Sequence, residues 1–182
     1  NFEEYASTSF LDNQIIIQSQ KANVAVIVAE GDVVREGEGL AADKICALFQ
    51  KVRNNPSIKT VVFRINSPGG SALASEEIWR EVALTNKVKK VIVSMGDVAA
   101  SGGYYIATPA DRIFAESTTI TGSIGVFGMI PYTGKMFENK LGITFDRVGT
   151  NSHSVLSLNK KLSPEELARV QGEVDLIYDQ FL

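Results

Sequence analysis

KTVVFRINSPGGSALASEEIWREVALTNKVKKVIVS, residues 59–94, sets one helical pattern between two short apolar runs. Lys59 to Ile65 and Lys90 to Ser94 are short and rich in β-branched residues, as buried strands are. Asn66-Ser67-Pro68-Gly69-Gly70-Ser71 is a turn, and Ser75 to Leu84 reads as a helix. A strand, a helix and a second strand in this order form a βαβ unit, whose strands run parallel in one sheet.

The same alternation extends in both directions. Upstream, Asn23 to Val28 is a β-branched run ended by Gly31, and Leu40 to Asn54 carries Ile45, Leu48, Phe49 and Val52 at helical spacing. Pro56 stops that helix. Downstream, a further helix is expected to begin near Ala99. The last helix is the clearest: Ser163 is its N-cap, Pro164 fills the first position, and Glu165 and Glu166 face the positive end of the dipole. Leu167, Val170, Val174, Ile177, Tyr178 and Phe181 share one face. Residues 1–22 read as a polar, irregular lead-in, and 23–182 as one α/β domain without internal repeats.

Composition narrows the function. With 182 residues, 45% of them hydrophobic, the chain can bury a sizeable core. The net charge of −3 comes from 18 basic and 21 acidic residues without a basic stripe, which argues against a nucleic-acid partner. Cys46 is the single cysteine, so neither an internal disulfide nor a cysteine-based metal site is expected. It reads as a small buried apolar side chain. No metal or cofactor motif is present. No apolar run reaches the roughly 18–20 residues needed to span a bilayer. The acidic start, Asn1-Phe2-Glu3-Glu4-Tyr5, reads as an internal cut, with any anchor or export segment outside this chain.

Three glycine-rich turns could carry chemistry. Around Pro68-Gly69-Gly70, adjacent glycines let backbone N–H groups approach a ligand; an ordinary tight turn would look the same. In Ala99-Ala100-Ser101-Gly102-Gly103-Tyr104-Tyr105, small residues crowd one hydroxyl. They would let a strand bend sharply into a helix and keep Ser101 reachable by a carbonyl, although Ser101 could equally be an N-cap. Thr121-Gly122-Ser123-Ile124-Gly125 reads, by itself, as a strand with polar turn residues.

Taken together, Asn66-Ser67-Pro68-Gly69-Gly70-Ser71, then Ala99 to Tyr105, then Thr121 to Val126 resemble the protease IV, or signal peptide peptidase A, family from about Asn23 to Leu182. The resemblance implies a Clp protease/crotonase-like α/β fold with repeated β-β-α units. It implies a serine endopeptidase degrading cleaved signal peptides or other apolar peptides, with Ser101 as nucleophile. Backbone N–H groups at Gly70 and Gly102 would form the oxyanion hole, and Ser123 would hold a catalytic lysine. It further implies a ring-like homo-oligomer, a tetramer in the complete protein, at the outer (periplasmic) face of the cytoplasmic membrane, tethered by a segment absent here.

The lysine is where the chain departs from the pattern. Short members carry it in the loop after the strand that Thr144 to Gly149 resembles, and the matching position here holds His153. Lys160 and Lys161 lie nearer the last helix than expected. Long members carry two tandem copies, lysine in the first and serine in the second, so the chain fits a second copy, its C-terminal end truncated, partnered by an upstream domain. His153 sits in a polar loop without an evident orienting carboxylate, and reads as solvated rather than as a base. Asp97 is expected to cap a turn. Two other readings stay open: a crotonase-like acyl-CoA enzyme, which would want glutamates where Ser101 stands, and a non-catalytic assembly domain of the same family.

Overall fold

The computed structural model describes residues 15–16, 23–146, 148–151 and 157–182. They fall into two compact units, one running to Ile124 and the other from Gly125 to Leu182.

The first unit is a six-stranded sheet with helices. In chain order its elements are β1 (Ile15–Ile16), β2 (Val24–Glu30), β3 (Val33–Val34), β4 (Leu40–Ala41), α1 (Ala42–Asn54), β5 (Thr60–Ser67), α2 (Ala72–Asn86), β6 (Lys90–Ala100), α3 (Gly102–Tyr105), β7 (Arg112–Phe114) and β8 (Ile120–Gly122). The sheet order is β1-β2-β5-β6-β7, with β8 also on β6. Only the short β1, inside the segment expected to be irregular, runs antiparallel; β2, β5, β6, β7 and β8 pair in parallel. β6 pairs along one edge with two strands in succession: Ile92 to Ser94 meet β7, and Val98 to Ala100 meet β8.

Alternation decides what is inside. Ala25, Ile27 and Ala29 on β2, Val61, Phe63 and Ile65 on β5, and Val91, Val93 and Met95 on β6 are all buried. Ile45, Phe49 and Val52 of α1 and Ile78 and Val82 of α2 join them in one core. Phe49 meets Phe63 edge to face, ring centres 4.9 Å apart. Each such fully buried side chain contributes roughly 1.5–3 kcal/mol. Arg53 of α1 pairs with Glu81 of α2 at 2.7 Å. On the opposite face, Val26, Val28, Val62 and Ile92 are only half buried and Arg64 is exposed.

Several boundaries differ from those expected, β2 and β5 each running two residues further, to Glu30 and Ser67, and α1 starting at Ala42 rather than Leu40. α2 starts three residues early because Ser71 caps it, its hydroxyl accepting the Ala74 N–H at 3.3 Å. The strand expected to end at Ser94 continues to Ala100, and the helix expected near Ala99 is the single turn Gly102–Tyr105. Pairing with β8 imposes the extension, because small residues such as Ala99 and Ala100 follow whichever partner the tertiary structure supplies.

In the second unit, α4 (Gly134–Leu141) ends on Gly142 in the left-handed region, φ +62°. Phe137 packs edge to face on Phe145. Among its described residues, Thr144 to Gly149 forms no strand. α5 (Pro164–Phe181) begins where the sequence places it, with the full capping box of Ser163 and Glu166. Its apolar stripe is half exposed among the described residues, with Leu167 at 58%.

Candidate active site

Because β5, β6 and β8 run parallel, the chain leaves all three at one edge of the sheet. The three glycine-rich turns of the sequence therefore meet there. β6 and β8 end in register, Ala100 opposite Gly122. One residue further, the Ser101 N–H donates to the Gly122 carbonyl at 2.8 Å, and the Ser101 carbonyl accepts from the N–H groups of Tyr104 and Tyr105. Ser101 itself has φ +50° and ψ −122°, a conformation that usually calls for glycine. Holding a serine there costs on the order of 1–3 kcal/mol, and such strain gathers at functional sites. The bend leaves Ser101 partly exposed, neither capping its helix by side chain nor buried.

Gly69 and Gly70, φ +102° and +154°, run past this bend. The Val33 N–H donates to the Gly69 carbonyl and the Val33 carbonyl accepts the Ser71 N–H, both at 2.8 Å. These two bonds flank Gly70 in a parallel bridge to Val33 and leave its own N–H on the side away from Val33. That side is Gly102. A methyl group added at Gly102 would lie 3.3 Å from the Gly70 nitrogen. One added at Gly69 would lie 2.7 Å from the Gly102 nitrogen and 2.9 Å from the Ser101 Cβ. A side chain at either place would force its neighbours to shift. Neither the Gly70 nor the Gly102 N–H has an acceptor among the described residues. Two adjacent, unengaged donors beside a bent-out hydroxyl can receive a negative oxygen.

Several residues support this arrangement without having been singled out from the sequence. Buried Ser67 accepts the Gly69 N–H on its hydroxyl at 3.2 Å. Buried Ser75 donates its hydroxyl to the Ser71 carbonyl at 2.9 Å and lies against Gly102. Asn66, read as a turn residue, is the last but one residue of β5, and its Oδ1 accepts the Val98 N–H at 3.1 Å. α3 is tied to α2 by Tyr105, whose hydroxyl donates to Glu76 and whose ring stacks on Trp79. Burial first, and then that bond to Glu76, push the Tyr105 phenol up. No periodic or compositional signal marks these residues; only the folded backbone does.

Ser123 stands one residue beyond β8, exposed, at φ +51°, its hydroxyl without a partner among the described residues. His153 lies outside the described residues. Lys160 pairs with Glu166 at 2.6 Å, and Lys161 is exposed. Lys59, Lys89 and Lys90 flank the opposite edge of the sheet, at the starts of β5 and β6. Lys89 donates to the carbonyls of Asn55 and Ile58, and burial followed by nearby Lys59 lowers its pKa. Asp97 caps no turn: it lies exposed within β6, where Asn66 makes the local bond instead. Cys46 is half buried rather than buried, its thiol pushed up to about 11 by burial first and then by Glu81 and Glu77. Among the described residues no His, Cys, Asp and Glu group could hold a metal ion, and no helix is long and apolar enough to cross a membrane.

Residues 83–182 match the family model described as Peptidase family S49, and residues 15–121 match the model described as Clp protease. Among curated relatives, "Protease 4" of Haemophilus influenzae is 42% identical over 166 residues, 87% of this chain and 26% of that protein. "Serine protease SPPA, chloroplastic" of Arabidopsis thaliana is 36% identical over 167 residues, 87% of this chain and 24% of that protein. The chain thus spans about a quarter of the length of these relatives. A solved structure of a ClpP1 mutant from Listeria monocytogenes aligns with 53% of this chain and 50% of its own, at 19% identity and a TM-score of 0.42. The fold is the α/β Clp protease/crotonase-like fold.

Proposed function

Because the chain belongs to peptidase family S49, we propose that it carries the nucleophile and the oxyanion-binding donors of a serine peptidase. The observation that carries this reading is Ser101 at φ +50°, bent out beside the unengaged N–H groups of Gly70 and Gly102. Ser101 Oγ gives its proton to a base and attacks the scissile carbonyl carbon. The carbonyl oxygen becomes an oxyanion and is received by the two glycine N–H groups. The amine then leaves with the proton, and water hydrolyses the acyl-serine by the same route.

The base in this reading is the neutral amine of a lysine, held by the Ser123 hydroxyl one residue beyond the strand that pairs with the nucleophile's own. An amine serves when burial and neighbours bring its pKa toward the working pH. His153 stands where short members of the family carry the lysine, so in this reading the amine comes from an upstream tandem copy, completing the site across an interface. The substrates are apolar peptides, cleaved signal peptides among them, met by a membrane-anchored homo-oligomer at the outer face of the cytoplasmic membrane. The relatives' names, protease 4 and SPPA, support a protease.

A serine-directed fluorophosphonate tests the reading. The native protein should label at Ser101 and lose its peptidase activity in step. Residues 1–182 alone should cleave a fluorogenic peptide far more slowly than the same chain with its native upstream domain. Equal rates would place the base within this chain, with Lys160 or Lys161 next in line; labelling elsewhere would remove Ser101 from the mechanism.

A further inference from the structure

We propose that Asn66 is a positioning residue: its side-chain carbonyl holds a two-residue bulge in β6 that brings Ser101 level with Gly69 and Gly102 level with Gly70. The inference rests on the reading of Ser101 as nucleophile and names what aligns it.

The strand register changes partway along the pair. From Thr60↔Lys90 to Ile65↔Met95, β5 and β6 advance together; the next pair is Ser67↔Ala99. β6 has used four residues where β5 used two. Continued without the bulge, the first register would set Ser71 opposite Ser101, at the cap of α2. With it, Ser101 falls opposite Gly69, in agreement with the 2.9 Å approach between an added Gly69 methyl and Ser101 Cβ. Two residues are about 6.6 Å of strand, and a catalytic group displaced by about 1 Å can lose about 10²-fold in rate. An even shift also leaves every side chain on its own face, so Ala99 stays buried like Met95.

Asn66 faces the bulge from β5, between the paired residues Ile65 and Ser67. Its Oδ1 accepts the Val98 N–H at 3.1 Å, a bond that the interrupted ladder to β5 no longer supplies. Its Nδ2 donates to Glu30 Oε1 at 3.4 Å, across the registered pair Glu30↔Asn66. Gly96 makes the room: a methyl there would lie 2.9 Å from Asn66 Oδ1. The Gly96 carbonyl is taken by the Thr119 hydroxyl at 2.8 Å, which fixes the bulge from its other side.

The test is steady-state peptidase kinetics of the native protein, with the fluorophosphonate labelling rate and thermal midpoint measured in parallel. Asn66→Ala should lower kcat and labelling about 10²-fold with KM within about threefold. Asn66→Asp should fare poorly alone, with two carboxylates facing each other. Combined with Glu30→Gln, which returns a donor to the pair, it should recover kcat to within about fivefold. A folded Asn66→Ala with kcat within threefold of wild type, while Ser101→Ala is inactive, would overturn this inference and leave the nucleophile standing. If Asn66→Ala does not fold, failure of the folded Asn66→Asp/Glu30→Gln variant to recover kcat would overturn it equally. An active Ser101→Ala would instead overturn the underlying reading.

Discussion

Ser101 and Ser123 each stand one residue beyond the end of a parallel strand, their predecessors Ala100 and Gly122 paired in register, and each has the same backbone sign, φ +50° and +51°. Positive φ is uncommon outside glycine. Two in-register serines that both adopt it are held so by their surroundings, not by preference.

The strain at Ser101 separates stability from activity. Ser101→Gly should relieve it, and against glycine's greater loss of chain entropy should gain about 1 kcal/mol net. In a chain this size that is roughly 2–4 °C in thermal midpoint. Ser101→Ala should leave the midpoint nearly unchanged. Both should lower peptidase activity of the native protein about 10⁴-fold or more. Thermal unfolding beside peptide turnover checks the two halves independently.

Gly102→Ala should be expensive in both respects. Its methyl would come within 2.5 Å of Ser75 Oγ, which is buried and bonded to the Ser71 carbonyl. Overpacking of this kind costs about 1–3 kcal/mol. Ser75→Ala alone should cost about 1 kcal/mol for the lost bond. The double variant should be more stable than the sum of the two, a coupling that denaturant titration of all four proteins measures directly.

The start of α5 should be acid-sensitive. The bond from Lys160, and then that from the Ser163 backbone N–H, hold the Glu166 carboxyl down to about 2 from an ordinary 4.5. A carboxyl lowered by folding contributes stability above its unfolded pKa and loses it as pH falls through the folded value. Glu166→Gln should therefore destabilise α5 above about pH 5, with the difference from wild type shrinking from about pH 4.5 toward about pH 2. Helical circular dichroism of both proteins across that range gives the answer.

His153→Ala should alter activity less than tenfold, since its sequence context is a polar loop without a placed carboxylate. Turnover in the native protein measures this, and a loss matching that of Ser101→Ala would require a Ser–His mechanism.

What was legible in the sequence was what periodicity and turn chemistry encode. The β5 run, the stripe of Ile45, Phe49 and Val52, and the Ser163 cap all appear where their patterns put them. The glycines around residues 70 and 102 left room for a close backbone approach, although an ordinary tight turn would have read the same; the approach between them is seen only in the fold. The far half of β6 was not legible. Gly96, Asp97, Val98, Ala99 and Ala100 neither alternate nor favour a strand, and become one through β8, which is a tertiary fact. Asn66 was hidden for the opposite reason: asparagine before Ser-Pro-Gly is so ordinary in a turn that its bond across the sheet leaves no trace. Ser75 carried no signal either, a serine on a helix whose importance is the glycine it faces.

The Ser101 amide is already committed, its proton held by Gly122. Charge arriving on a bound carbonyl would therefore draw only on the amides of residues 70 and 102, and never compete with the bond that docks β8. In the proposed mechanism, ligand capture and strand docking run on separate protons. Replacing the amide by an ester at position 102 would then weaken turnover while β8 stays docked, whereas the same exchange at position 101 would loosen β8 first.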